Sequence, residues 1–212
     1  IEAGDMKNLA HMLHPFGIDS KPNLDFARQQ SLLQLAEAEG KDPVEVYVER
    51  LLASEGREFF NFWMFGGNLD NQWKYMQLPH VVPMLGDAGA HVGFFTDTDS
   101  PTVLLSELTR EQGVYSLPEA VHRITGKSAA IIGLKERGEL REGWHADINV
   151  IDYENLSTCH PEYVNDFPHG GGRFVVKGKG YDATIVGGKV IIKNGKHTGH
   201  RPGRVIREFV RG

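Results

Sequence analysis

The stretch Val81-Val82-Pro83-Met84-Leu85-Gly86-Asp87-Ala88-Gly89-Ala90-His91 decides how this chain is read. Its first five residues are apolar, a run too short for a helix and long enough for a strand buried on both faces. Pro83 sits awkwardly there, because proline has no amide to donate to a ladder. The strand ends at Gly86, and Asp87 follows it with small residues that let the backbone turn. At the carboxyl end of a parallel strand, such a carboxylate points into the loops where α/β proteins keep their active sites. Two readings stay open for Asp87: a cap of the next turn, or a carboxylate that binds a metal or accepts a proton. His91, four residues on, is placed to contact substrate or to orient that carboxylate.

Upstream, the pattern from Pro22 to Gly56 is helical, with Asp42-Pro43 as a start signal and Val44, Tyr47, Val48, Leu51 and Leu52 as an apolar stripe. Phe59–Phe65 reads as a second short strand with five aromatics, and 69–78 as a helix. Together these segments predict a parallel sheet covered by helices. Further helices are expected over 101–112, from the Ser116-Leu-Pro-Glu119 capping box to about Thr125, and over 128–132.

After Gly143 the character becomes β. Strands are expected at 148–151, 174–177, 183–186 and 190–192, with tight turns at Gly187-Gly188 and Asn194-Gly195. Residues 160–172 read as a long loop. We therefore divide the chain into an α/β part, 1–142, and a β-rich part, 143–212.

Bulk properties narrow the function. The 212 residues are 40% hydrophobic and 24% charged, with a net charge of −5. Basic residues are scattered, which argues against nucleic acid as a partner. No apolar run approaches the ~20 residues of a membrane span. The single Cys159 excludes an internal disulfide and fits a reducing compartment, so a cytoplasmic protein is expected. A thiolate nucleophile at Cys159 has no supporting motif, and Gly170-Gly171-Gly172-Arg173 lacks the strand–helix setting of a phosphate loop.

Gly138-Glu-Leu-Arg-Glu-Gly143-Trp-His-Ala146-Asp147-Ile-Asn-Val-Ile-Asp152 resembles the signature that follows the barrel in the metal-dependent amidohydrolase superfamily. Thr125–Leu134 resembles the segment before it, and the Val186–Val190 turn its closing strands. Gly86–His91 and the Thr198–Arg204 end are similar to the N-acyl-D-amino-acid deacylase branch. The resemblance implies the C-terminal fragment of a (β/α)8 metallo-hydrolase barrel, followed by part of a small β-sandwich. It also implies zinc in the parent enzyme, a small-molecule amide substrate, and Asp87 as metal ligand or general base at the end of the eighth strand.

The family's remaining ligands include a His-Xaa-His pair, which this chain lacks. They would lie upstream of Ile1, a start that itself looks trimmed. We therefore expect no turnover and no stoichiometric zinc from the chain alone. Unpaired strand edges should favour homo-oligomers or association with a missing N-terminal part. The alternatives are a non-catalytic binding or assembly module, or one subunit of a split hydrolase. A metal role for His11 and His14 is disfavoured, because His14-Pro15 breaks the helix that would align them.

Overall fold

The computed structural model describes residues 7–18, 21–22, 30–63, 69–83, 91, 93, 97–207 and 209. The chain forms two compact units: residues 1–69 with 160–175, and residues 70–159 with 176–212. The division anticipated at residue 143 falls inside the second unit.

In the first unit, two helices pack on a small sheet. Helix Leu32–Glu39 begins with a capping box: the Ser31 hydroxyl accepts from the Gln34 amide, and the Gln34 side chain accepts from the Ser31 amide. It ends at Gly40. Helix Pro43–Ala53 then starts where Asp42 accepts from the Val44 amide at 2.9 Å. The helical expectation over 22–56 is thus two helices broken at Gly40, with Lys21–Pro22 in a strand. The core of this unit is Ala10, Leu32, Ala36 and Val46, with Val44, Tyr47 and Phe60 against it. Val48 and Leu52, expected on the buried stripe, face solvent because the packed face is centred on Val46.

Glu58–Phe62 is a strand, as the aromatic run suggested, but its pairing differs from the expectation. It runs antiparallel to Leu13–Ile18, which in turn pairs antiparallel with Lys21–Pro22. Its backbone groups are satisfied by a segment whose strand character proline obscures. The register slips between Pro15 and Gly17, around Phe16, where proline's missing donor makes a bulge inexpensive. Successive side chains alternate as a strand requires: Phe60 meets Tyr47, whereas Phe59 meets Tyr163 and Phe174.

Those last two residues belong to a hairpin that the long-loop reading of 160–172 missed. Glu162–Val164 pairs antiparallel with Arg173–Val175. Asp166 and Arg173 form a two-pronged ion pair across its neck, at 2.7 Å for each bond. Phe16, Phe59, Tyr163 and Phe174 make one aromatic cluster with centroid separations of 4.9–6.1 Å.

The second unit combines helices with a four-stranded antiparallel sheet. Its strands run in the order Lys196–His197, Lys189–Lys193, Tyr181–Val186, Ile148–Ile151. Gly187 and Gly188 (φ 53° and 75°), and Asn194 and Gly195 (48° and 73°), adopt the left-handed pairs that two-residue hairpin turns demand. Leu69–Met76 is a helix. The helix expected over 101–112 is one turn, Ser100–Val103, that widens into a π-helix, Leu104–Glu111. There the Thr109 hydroxyl donates to the Leu104 carbonyl five residues back. Helices Leu117–Ile124 and Gly126–Ile132 follow. The core is Leu104, Leu105, Leu108, Tyr115, Ala120 and Leu156.

Among the described residues every strand pairing is antiparallel. Residues 81–83 carry no strand, and the rest of the expected Val81–Gly86 strand lies outside the described residues.

Candidate active site

Asp87 lies outside the described residues, and His91 is exposed. The described residues that precede Asp87 in sequence are Val81–Pro83 and the turn before them. Helix Leu69–Met76 ends in a turn, and the Val81 amide donates to the Leu78 carbonyl at 3.1 Å. Arg123, on helix Leu117–Ile124 and only 4% exposed, reaches this turn. Its Nη1 donates to the carbonyls of Met76 (2.8 Å), Leu78 (3.3 Å) and Val81 (2.9 Å), and its Nη2 to Gln77 (3.0 Å). Glu119 holds the other side of the guanidinium at 2.9 and 3.0 Å. The capping box expected at Ser116 is consequently half made. The Ser116 hydroxyl accepts from the Glu119 amide, while the Glu119 carboxylate turns to Arg123. Lys127, four residues on, donates to the carbonyls of Pro79 and Val81.

Beside Pro83 opens a cleft of about 560 Å³ whose walls include Pro101, Ile124, Thr125, Arg137 and Asp147. Asp147 is fully engaged. It pairs with Arg137, and its Oδ1 accepts from the Gly187 amide at 2.9 Å. The Gly188 amide donates to the Ala146 carbonyl at 3.0 Å. The Ala-Asp pair of the signature is thus a structural joint, tying the 138–147 turn to the Gly187-Gly188 hairpin. Gly138 is required in that turn: at φ 84°, an added Cβ would lie 2.7 Å from the Ala129 Cβ and 2.9 Å from the Thr125 carbonyl oxygen.

The histidines are dispersed. His14 sits on a strand, stacked on Trp63 at 4.7 Å, its buried Nδ1 without a hydrogen-bond partner among the described residues. His11 is exposed, and His145 accepts a bond from Arg204 at 3.2 Å. Among the described residues no three His, Cys, Asp or Glu side chains gather into a group able to hold a metal. Nor is any helix there long and apolar enough to cross a membrane. Sequence reading missed Arg123 and Lys127. Their only local signal is the spacing of four, which any solvated helix face also shows.

The amidohydrolase family model matches residues 26–192, a span that contains the Asp87 stretch, the Arg123 turn and the 138–152 signature. The chain belongs to the amidohydrolase family. This amidohydrolase chain is 38% identical over 106 residues to an N-acyl-D-aspartate deacylase from Alcaligenes xylosoxydans xylosoxydans, covering 50% of the chain and 19% of that protein. Its mixed α/β fold is similar to an N-acyl-D-glutamate deacylase of Bordetella bronchiseptica complexed with zinc and a phosphonate inhibitor. That likeness has a TM-score of 0.53 and 22% identity, over 96% of this chain and 39% of the other. A D-aminoacylase mutant in complex with copper chloride matches with a TM-score of 0.50 and 23% identity, over 92% and 38%. The chain thus spans about one fifth of the curated relative and about two fifths of the solved structures.

Proposed function

We propose that this chain is the C-terminal part of a zinc-dependent amidohydrolase that cleaves the amide bond of N-acyl-D-amino acids, and that it does not turn over substrate alone. The observation that carries this reading is the family match through Gly86–His91 and the signature, joined to 38% identity with a deacylase. In the intact enzyme residues 1–142 hold the final βα units of a (β/α)8 barrel, and 143–212 form part of a β-sandwich. Asp87 ligates the metal, or takes a proton from the attacking water and returns it to the departing amine. His91 contacts substrate or orients Asp87. Bound zinc supplies the acidity that brings water into the neutral range. The other ligands belong, on this reading, to an N-terminal part of the enzyme, and a homo-oligomeric assembly in the cytoplasm is part of the same proposal.

Co-expression with the His-Xaa-His-bearing part of a relative tests this. N-acyl-D-aspartate hydrolysis should appear, and Asp87→Asn should lower kcat about 100-fold or more. Stoichiometric zinc and measurable hydrolysis by the 212 residues alone would overturn it.

A further inference from the structure

We infer that the cavity lined by residues 134–137 and 204–207 is a binding site for an organic carboxylate, an anionic head carried on an apolar body. The inference goes beyond the proposed hydrolase reading and does not depend on the role of Asp87. All of the cavity's walls belong to the second unit. The turn after helix Gly126–Ile132 is closed by the His145 amide, which donates to the Glu136 carbonyl at 3.0 Å. The terminal segment meets this turn where Arg204 Nη2 donates to His145 Nε2 at 3.2 Å. These residues together enclose a cavity of about 360 Å³.

Its charge is unbalanced. Lys135, Arg204 and Arg207 line it against Glu136 as the one carboxylate among the described walls, in a chain whose net charge is −5. A further cation there, Arg137, is neutralised by Asp147. Among the described residues the Lys135 and Arg207 side chains make no ion pair or hydrogen bond, and Arg204 makes only the bond to His145. A guanidinium that donates to a neutral ring nitrogen keeps its charge uncompensated and most of its five donors unused. Cations gathered in this way repel one another, and a bound anion replaces that repulsion with attraction. The planar guanidinium fork matches a carboxylate in particular. The remaining walls are apolar: Leu134, Val205 and Ile206, with Val205 77% and Ile206 38% exposed. An apolar body on the anion gains by covering them. The volume falls within the ~300–1,000 Å³ of ordinary small-molecule clefts. A nucleic acid would need a basic stripe along many phosphates, whereas the other basic residues of this chain are scattered.

Octanoate is the probe, measured by equilibrium dialysis against the native gene product that carries this chain. It should bind with a Kd of ~1 mM or below. Octanol has the same body without the charge, and acetate the charge without the body; each should bind at least ~tenfold more weakly. Lys135→Gln combined with Arg207→Gln removes two exposed cations and should weaken octanoate by ~tenfold or more. Glu136→Gln removes the opposing carboxylate and should tighten it about threefold, a gain that misfolding does not produce; it decides if the double variant does not fold. Bound octanoate should also slow amide exchange at 134–137 and 204–207 while leaving 117–124 unchanged. Octanoate binding no better than octanol, binding unmoved by these substitutions, or protection that falls elsewhere overturns the inference. Acetate or sulfate binding as tightly as octanoate shows an adventitious ion only and overturns it equally. No arm reads deacylase activity, so the result stands whatever becomes of the hydrolase reading.

Discussion

The Arg123 guanidinium lies 4.8 Å from the ring centroid of Tyr115, and both residues are 4% exposed. The cation stabilises the ring face, yet the buried Tyr115 hydroxyl has no hydrogen-bond partner among the described residues. Burial pushes this phenol's pKa up, while the nearby Arg123 charge acts in the opposite sense. A raised folded-state pKa means the unfolded chain loses this proton first, so stability is full below the unfolded value and falls as pH rises through the folded one.

Tyr115→Phe removes the unbonded hydroxyl while keeping the ring. It should leave stability at pH 7 unchanged or raise it by up to ~1 kcal/mol. Urea melts should also show the wild type losing stability above about pH 10 more steeply than the variant. Equal alkaline slopes would show that Tyr115 binds its proton equally in the folded and unfolded states, and would overturn the burial argument.

Gly138→Ala combines a left-handed backbone with a Cβ at 2.7 Å from Ala129. A loss of about 2 kcal/mol or more is expected in denaturant unfolding. Gly143→Ala is the control, since its φ is 83° but nothing lies within 4 Å of the added carbon. It should cost about 1 kcal/mol.

Asp147→Ala tests whether the signature aspartate is structural. The Gly187 amide should become fast-exchanging, and stability should fall by about 1 kcal/mol. Lys189–Lys193 should keep its pairing with Tyr181–Val186, because that ladder does not involve Asp147.

Phe174→Ala empties the centre of the aromatic cluster. About 3 kcal/mol should be lost from the first unit, read as faster exchange at 13–18 and 58–62. Exchange at 181–186 should be unaffected.

What was legible in the sequence was local. Ser116, Asp42-Pro43, Gly187-Gly188 and Asn194-Gly195 act through their own φ angles or bonds a few residues away, and each does in the structure what its chemistry requires. What escaped was pairing over distance. Glu58–Phe62 was readable as a strand, but nothing in it names Leu13–Ile18 as the partner or antiparallel as the direction. Glu162–Val164 hid among proline, glycine and charge, although Tyr163 is held by Phe59 and by Phe174 of its own hairpin. Arg123 reaches carbonyls more than forty residues upstream, beyond any helical periodicity. Asp87, the residue on which the reading turned, lies outside the described residues, so its candidacy rests on motif and family.

The aromatic cluster has a consequence for biogenesis. Phe16 and Phe59 are translated well before the hairpin that covers them, which ends at Val175. During synthesis the first unit must wait, with this apolar surface open, until most of the second unit has left the ribosome. Chains interrupted anywhere in that interval would present an adhesive aromatic face, making the nascent polypeptide a natural client for chaperones that bind exposed rings.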